Sequence, residues 1–214
     1  MNRKAANPGP TVAQASIEEA VRRAIADDCA VDGCLFELDA LENLEECTLD
    51  FAGCVFRRVR FVAIDARRVH FSNCRFEQCD FSGLPFKDGT LTRVEFIGCR
   101  GAGCTFEHMK MKDVLFDQCQ LNYLTLATCR MERVEFLDCD LSHSMLFESA
   151  QKDLVLTRCR LVSSEIQTTP LKGGDLSECD LQQISIQPEL LRGATIQLAQ
   201  TPMILGIFGV QVKL

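Results

Sequence analysis

The chain has 214 residues, 47% of them hydrophobic and 25% charged, with a formal net charge of −7. Such a composition fills one ordinary core and excludes wholesale disorder, and its acidic balance argues against nucleic acid as a direct ligand. The most apolar run, "MILGIFGV" at 203–210, is far too short to cross a bilayer as a helix.

The opening "MNRKAANPGPTVAQA" has two basic residues with no apolar stretch behind them, unlike a secretory leader, so a cytoplasmic protein is expected. "SIEEAVRRAIADD" (16–28) predicts a short helix. Ser16 and Glu19 form a capping box, and Ile17, Ala20, Val21, Ala24 and Ile25 recur at helical spacing. Residues 1–33 are read as a tail plus a helix that caps the open N-terminal end of a stacked repeat.

From residue 34 the period changes to five. Stepping by five from Phe51 to Ile196 visits 30 positions, of which 27 carry a large apolar side chain, without insertion or deletion. The exceptions are Ala66, Gly101 and Gln151; Phe36 and Leu41 keep the frame earlier, and it fails at Glu46. Gly101 is expected to leave its slot empty and Gln151 to need a hydrogen-bond partner, so either could mark a bend. Twelve of the thirteen cysteines occupy the slot two residues before this one, and only Cys47 does not. Confinement to one slot marks cysteine as a small apolar packing residue, and no spacing fits a zinc site. Two inward residues in every five fit neither a helix nor a flat strand. They fit a coil with corners, stacked on its neighbours at about 4.8 Å like a parallel sheet.

The slots read "CRFEQ", "CDFSG", "CQLNY", "CDLSH", "CRLVS" and "CDLQQ". This pattern resembles the pentapeptide-repeat proteins. The resemblance covers residues 34–196 and implies an all-β fold, a right-handed quadrilateral parallel β-helix with four pentapeptides per coil. On that frame Phe56, Phe76, Phe96, Phe116 and Phe136 stack on one face, and Cys79, Cys99, Cys119, Cys139, Cys159 and Cys179 line the next corner.

From residue 95 onward, the expected partner-binding acidic face outside the Phe ladder presents Glu95, Asp117, Glu135, Asp138, Asp175 and Glu178 against Arg158 alone. Beyond residue 100 another face is basic, with Lys110, Lys112, Arg130, Arg133, Lys152, Lys172 and Arg192 against Asp113, Glu132 and Asp153. At one edge Asp138 and Asp140, Arg158 and Arg160, then Glu178 and Asp180 alternate in sign one coil apart, which relieves repulsion between coils without any partner. Residues 197–214 leave the repeat. A short helix stopping near Gly209 and a terminal strand are expected, with Met203, Ile204, Leu205, Ile207, Phe208, Val210 and Val212 as a dimer contact.

His70, His108 and His143 all fall in outward slots, and no nucleotide, metal or protease motif is present. No enzyme, cofactor or metal is expected. "EQCDFSGLPF" (77–86), "TRVEFIGC" (92–99), "MKDVLFDQC" (111–119), "PLKGGDLS" (170–177) and "LLRGATI" (190–196) narrow the resemblance to the Qnr-type quinolone-resistance branch. The chromosomal Gram-positive members are nearest, with MfpA more distant. That resemblance implies a homodimer joined through its C-terminal segments that binds DNA gyrase or topoisomerase IV as a DNA mimic. Gram-negative members carry loops that interrupt the coils, and the unbroken register here leaves no room for them. The competing readings are a scaffold module without a topoisomerase role and immunity to a gyrase-directed toxin.

Overall fold

A coil of twenty residues brings each residue beside the one twenty later, and the ladders from Val31 onward obey that rule, the tail's Val12–Cys34 pairing being offset by 22. The structure, a computed structural model, describes residues 2–14, 16–43, 48–64 and 66–212, with residues 66 and 67 by their backbone alone. Glu46, Cys47, the Ala66 side chain and residues 213–214 therefore lie outside the described residues. One sheet runs through β1 (Val12–Ala13), β2 (Cys34–Glu37), β3 (Val55–Arg57), β4 (Arg75–Glu77), β5 (Thr90–Ile97), β6 (Lys110–Asp117), β7 (Arg130–Leu137) and β8 (Ala150–Thr157), all parallel. A second sheet stacks 85–87, 105–107, 125–127, 145–147, 165–167 and 185–186 in the same sense. Together they form the expected right-handed quadrilateral β-helix, a solenoid of about eight turns.

Corners are turned by residues in the left-handed region. Gln78, Arg93, Asp113, Gln118, Asp138 and Arg158 have φ between 50° and 57°, each two places after an inward residue. The inward Phe ladder is close-packed: Phe96, Phe116 and Phe136 stack at centroid spacings of 4.7 Å with rings 4° from parallel. In-register parallel strands impose that spacing, so identical rings superpose.

The cysteines fill the corner slots as packing residues. Cys99, Cys119, Cys139 and Cys159 are buried, and each Sγ–H points at a main-chain carbonyl such as Phe76 O, 3.5 Å from Cys99. Burial pushes the Cys129 thiol up to about 11. Thiolate chemistry is thereby suppressed at Cys129. With Cys47 replaced by serine, a disulfide-exchange dye is expected to titrate one thiol quickly, the exposed Cys29, and the other eleven only after denaturant. Fast reaction of several thiols in the native protein would contradict the packing role.

Two of the irregular slots resolve differently from expectation. Gly101 does not leave a hole. It is buried, and a Cβ there would lie 2.3 Å from Phe81 Cε2 and 2.9 Å from Leu121 Cδ2, so neighbouring rings and methyls already fill the slot. Gln151 finds partners: its Nε2 donates to Pro170 O at 2.7 Å and its Oε1 accepts from Leu154 N–H at 3.0 Å. It marks the end of a sheet, because β8 gains no strand partner from 170–177, where Pro170 lacks a donor. A surface cleft of about 490 Å³ opens between β8 and that segment.

Both ends carry helices. The helix α1 (Ile17–Ala26) begins at Ser16, whose Oγ accepts from Glu19 N–H, and buries Ile17, Val21 and Ala24. Asp39 accepts from Ile17 N–H at 2.6 Å and ties the cap to the first coils. The helix α2 (Thr201–Ile207) is followed by Gly209 at φ 75°, as expected. The expected terminal strand is not formed at 210–212, since within one chain no sheet edge reaches these residues.

The tail before α1 belongs to the body. Val12 pairs with Cys34 in β1–β2, and the preceding residues climb the solenoid past Gly53 toward Glu135. Five coils rise about 24 Å, within reach of the extended stretch from Val12 back to Arg3.

Candidate partner-binding surface

The outward slot just before each residue of the Phe ladder reads Leu35, Val55, Arg75, Glu95, Leu115, Glu135, Val155 and Asp175 up the rod. Solvent should select polar residues here, yet Val55 and Leu115 are apolar and buried at 7% and 8% exposure, and Glu95 is 3% exposed. The cover is the N-terminal tail. Arg3 reaches Glu95 and Glu135, each at 3.2 Å, spanning the Leu115 coil between them. Ala6 N–H donates to Glu95 Oε1 at 3.2 Å, and Lys4 N–H to Asp113 Oδ1 at 3.0 Å. Lower down, a Cβ on Gly53 would stand 3.0 Å from Pro8 O, so the tail needs glycine where the next coils carry Asn73 and Arg93.

The two buried carboxylates are ionised by their neighbours. Burial works against the Glu95 charge, but the Arg75 hydrogen bond and charge, Ala6 N–H and Arg3 outweigh it and hold its carboxyl below the ordinary 4.5. Asp113 is held below its ordinary 3.8 chiefly by its hydrogen bonds from Arg133, against burial and with help from Lys4 N–H and Lys112. Arg133 also pairs with Glu132. A carboxylate whose folded value is depressed contributes stability that is full above its unfolded value and is lost as pH falls through the folded one. The stability difference between the intact chain and one lacking residues 2–10 is therefore expected to be constant above about pH 5 and to shrink below about pH 4. Denaturant titrations of both chains across that range check it; a difference that grows on acidification would contradict the assignment.

The six expected binding carboxylates thus separate into groups. Glu95 and Glu135 lie under the tail. Asp138 accepts from Arg158 Nε at 2.6 Å, and the same guanidinium comes within 3.7 Å of Glu178. Arg158 holds the Asp138 carboxyl below its usual range. Asp117 forms no ion pair among the described residues, and burial followed by the Asp138 charge raises its carboxyl. Asp175 is exposed and capped by Ser177, whose N–H lies 3.0 Å away. The alternating edge behaves as a structural ladder, with Asp140 and Arg160 3.8 Å apart. On the basic face Arg133 is consumed by Asp113 and Glu132, and Lys112 pairs with Glu132 at 3.5 Å. Lys110, Arg130 and Lys152 have no ion pair among the described residues.

The expected dimer residues also divide. Met203, Ile204 and Ile207 pack against the core at the end of the rod, and Leu205 is half-buried. Phe208, Val210 and Val212 are exposed at 57%, 48% and 42%, beside Leu198 at 87%.

Missing from the expected set were Arg3, Ala6 and Asp113. The available signal was the recurrence of apolar residues in an outward slot, Leu35, Val55 and Leu115, a pattern that a covering segment explains and that Val155 repeats one coil past Glu135.

A parallel β-solenoid of stacked pentapeptide coils, with a charged exterior and a filled interior, defines a class of solenoid repeat protein. Residues 69–146 match the family model described as "Pentapeptide repeat region", and residues 43–83 that described as "Pentapeptide repeats (8 copies)". Together they place residues 43–146 in the pentapeptide-repeat family. No curated protein matches it in sequence. Among solved structures it is similar to a trypsin-treated variant of QnrB1, described as a plasmid-mediated fluoroquinolone resistance protein. That match has 17% identity and a TM-score of 0.52, over 84% of this chain and 90% of the other. A second trypsin-treated QnrB1 variant gives 15% identity and a TM-score of 0.43, over 84% and 91%. Rfr23, a pentapeptide repeat protein from the cyanobacterium Cyanothece 51142, gives 11% and 0.29, over 56% and 86%. At these identities the likeness to QnrB1 is one of fold. Among the described residues, no helix is long and apolar enough to cross a membrane.

Proposed function

We propose that this chain is a non-catalytic binding rod of the cytoplasm that enters the DNA-binding groove of a type II topoisomerase, DNA gyrase or topoisomerase IV, as a mimic of DNA. The observation that carries this reading is the set of carboxylates along one side of the solenoid's later half: Asp117 and Asp138 in adjacent coils, then Asp175 and Glu178 together two coils on, past the coil of Arg158. A groove that neutralises phosphates with Lys and Arg attracts regularly spaced carboxylates by the same electrostatics and with the same sign of salt dependence. The exposed apolar strip of Leu198, Phe208, Val210 and Val212 supports a homodimer joined there, isologous and closed. The shared fold with a fluoroquinolone resistance protein makes protection from that drug class the natural activity to test.

Supercoiling and drug-stabilised cleavage by gyrase, with and without ciprofloxacin, provide the test. The wild type is expected to inhibit supercoiling at micromolar concentration. A variant with Asp117, Asp138, Asp175 and Glu178 all changed to Lys should lose the effect while unfolding normally. Deletion of 199–214 should give monomers on sizing. If the wild type changes neither reaction, the topoisomerase reading fails. A scaffold role is then favoured by Arg158, which bridges Asp138 and Glu178 and so balances charge between coils without a partner.

A further inference from the structure

The tail lies on a track that the solenoid is built to receive, yet its two halves are held differently. Residues 12–14 are pinned by main-chain ladder bonds, Val12 N–H to Gly33 O at 2.8 Å and Gln14 N–H to Leu35 O at 3.0 Å. Residues 3–8 are held by Arg3, by the Lys4 and Ala6 amides on carboxylates, and by the single buried side chain of Ala6. Pro8, Gly9 at φ 69° and Pro10 separate the halves. Charged contacts are the kind that a competing cation and salt both weaken, whereas the ladder bonds are not. Lifting residues 3–8 would expose Glu95, Asp113 and Glu135 around the apolar side chain of Leu115, next to Asp117. That patch already accommodates one guanidinium across two carboxylates, with an apolar floor between them, which is the chemistry of an arginine side chain.

We propose that residues 2–10 are a detachable strap, in which Arg3 occupies in cis a slot that an arginine of a basic partner protein takes in trans. The strap masks the first part of the acidic side in the free protein, and its release extends the carboxylate row downward from Asp117 to Glu95. This rests on the reading of the acidic side as the partner-binding surface. A strap closed about nine-tenths of the time lowers apparent affinity about tenfold.

The test compares four chains: wild type, a deletion of residues 2–10, Arg3→Glu, and Gly53→Asn. The last copies the residue one coil on, Asn73 at φ 52°; its Cβ pushes on Pro8 O at 3.0 Å and meets Asp32 Oδ1 only at an ordinary 3.6 Å, and it alters none of Glu95, Asp113 and Glu135. The probe is a labelled nine-residue arginine peptide, monitored by fluorescence anisotropy at low and high salt. The three altered chains are expected to bind it about tenfold more tightly than wild type at low salt, with the gain shrinking as salt opens the wild-type strap. Adding Glu95→Gln and Glu135→Gln to the Gly53→Asn chain should abolish the gain. Equal affinities in all four folded chains, or a gain that survives loss of both glutamates, overturns the proposal. Should the deletion fail to fold, the two point variants carry the comparison. Gyrase inhibition is measured in parallel. A peptide gain without any gyrase effect leaves the strap standing and sinks the topoisomerase reading; gyrase inhibition with no peptide gain does the reverse.

Discussion

Phe116→Ala is expected to cost about 3–5 kcal/mol of folding stability, a large fraction of the total for a domain of this size. Phe116 is fully buried and stacked between Phe96 and Phe136 at 4.7 Å on both sides, with Phe106 edge-on at 6.1 Å. The cost has two parts. The transfer term is common to any buried ring. The cavity term is near its maximum here, because the parallel ladders above and below fix the strand spacing and prevent collapse into the space. The loss should appear as a lower urea midpoint. A solenoid whose turns are each stabilised by their neighbours should unfold as one unit, so the slope is expected to stay unchanged. A loss below about 1 kcal/mol would mean that the solenoid relaxes around the gap.

Gly101→Leu is expected to destabilise by about 1–3 kcal/mol, through overpacking. Repeat logic gives the opposite sign, since leucine is the common residue of that slot and on that logic fills a vacancy. In the fold the space is taken: Phe81 and Leu121 from the coils below and above close over Gly101, and a Cβ would meet a ring carbon at 2.3 Å. The backbone there is not in the left-handed region, so sterics alone decide the outcome. The double variant Phe81→Ala, Gly101→Leu makes the test specific. It should be more stable than Phe81→Ala alone, because the new side chain refills the space that the ring leaves. Stabilisation by Gly101→Leu alone would show that Phe81 swings aside at little cost. Gly89 is fixed more firmly still: a Cβ there would lie 2.3 Å from Val69 O, main chain that cannot swing aside, with Met109 Cε 3.0 Å away on the other coil.

Both cases bear on how much of this protein can be read before it is folded. The period of five fixes which residues point inward, and twenty residues per coil fix which residues stack, so the Phe and Cys ladders emerge from sequence with their register. These are local, repetitive relations, and each coil restates them. The capping helix was equally legible, since Ser16, Glu19 and the apolar spacing all lie within one short segment. The carboxylates of the candidate surface were legible as a list, because outward slots are as periodic as inward ones.

What only the tertiary structure decided is what covers, fills or neutralises those slots. Arg3 precedes Glu135 by 132 residues, and no period connects the tail to the coil it reaches. The sequence therefore counted Glu95 and Glu135 as free surface, where the fold places them beneath a strap. It counted Gly101 as a hole, where side chains from two other coils meet. It assigned 203–212 as one apolar contact, where Met203, Ile204 and Ile207 close the rod and Phe208, Val210 and Val212 remain outside. Repetition encodes the direction each side chain takes, because direction is set by backbone geometry five residues at a time. Occupancy is set by whatever else arrives, and a non-repeating segment carries no period from which its landing place could be deduced.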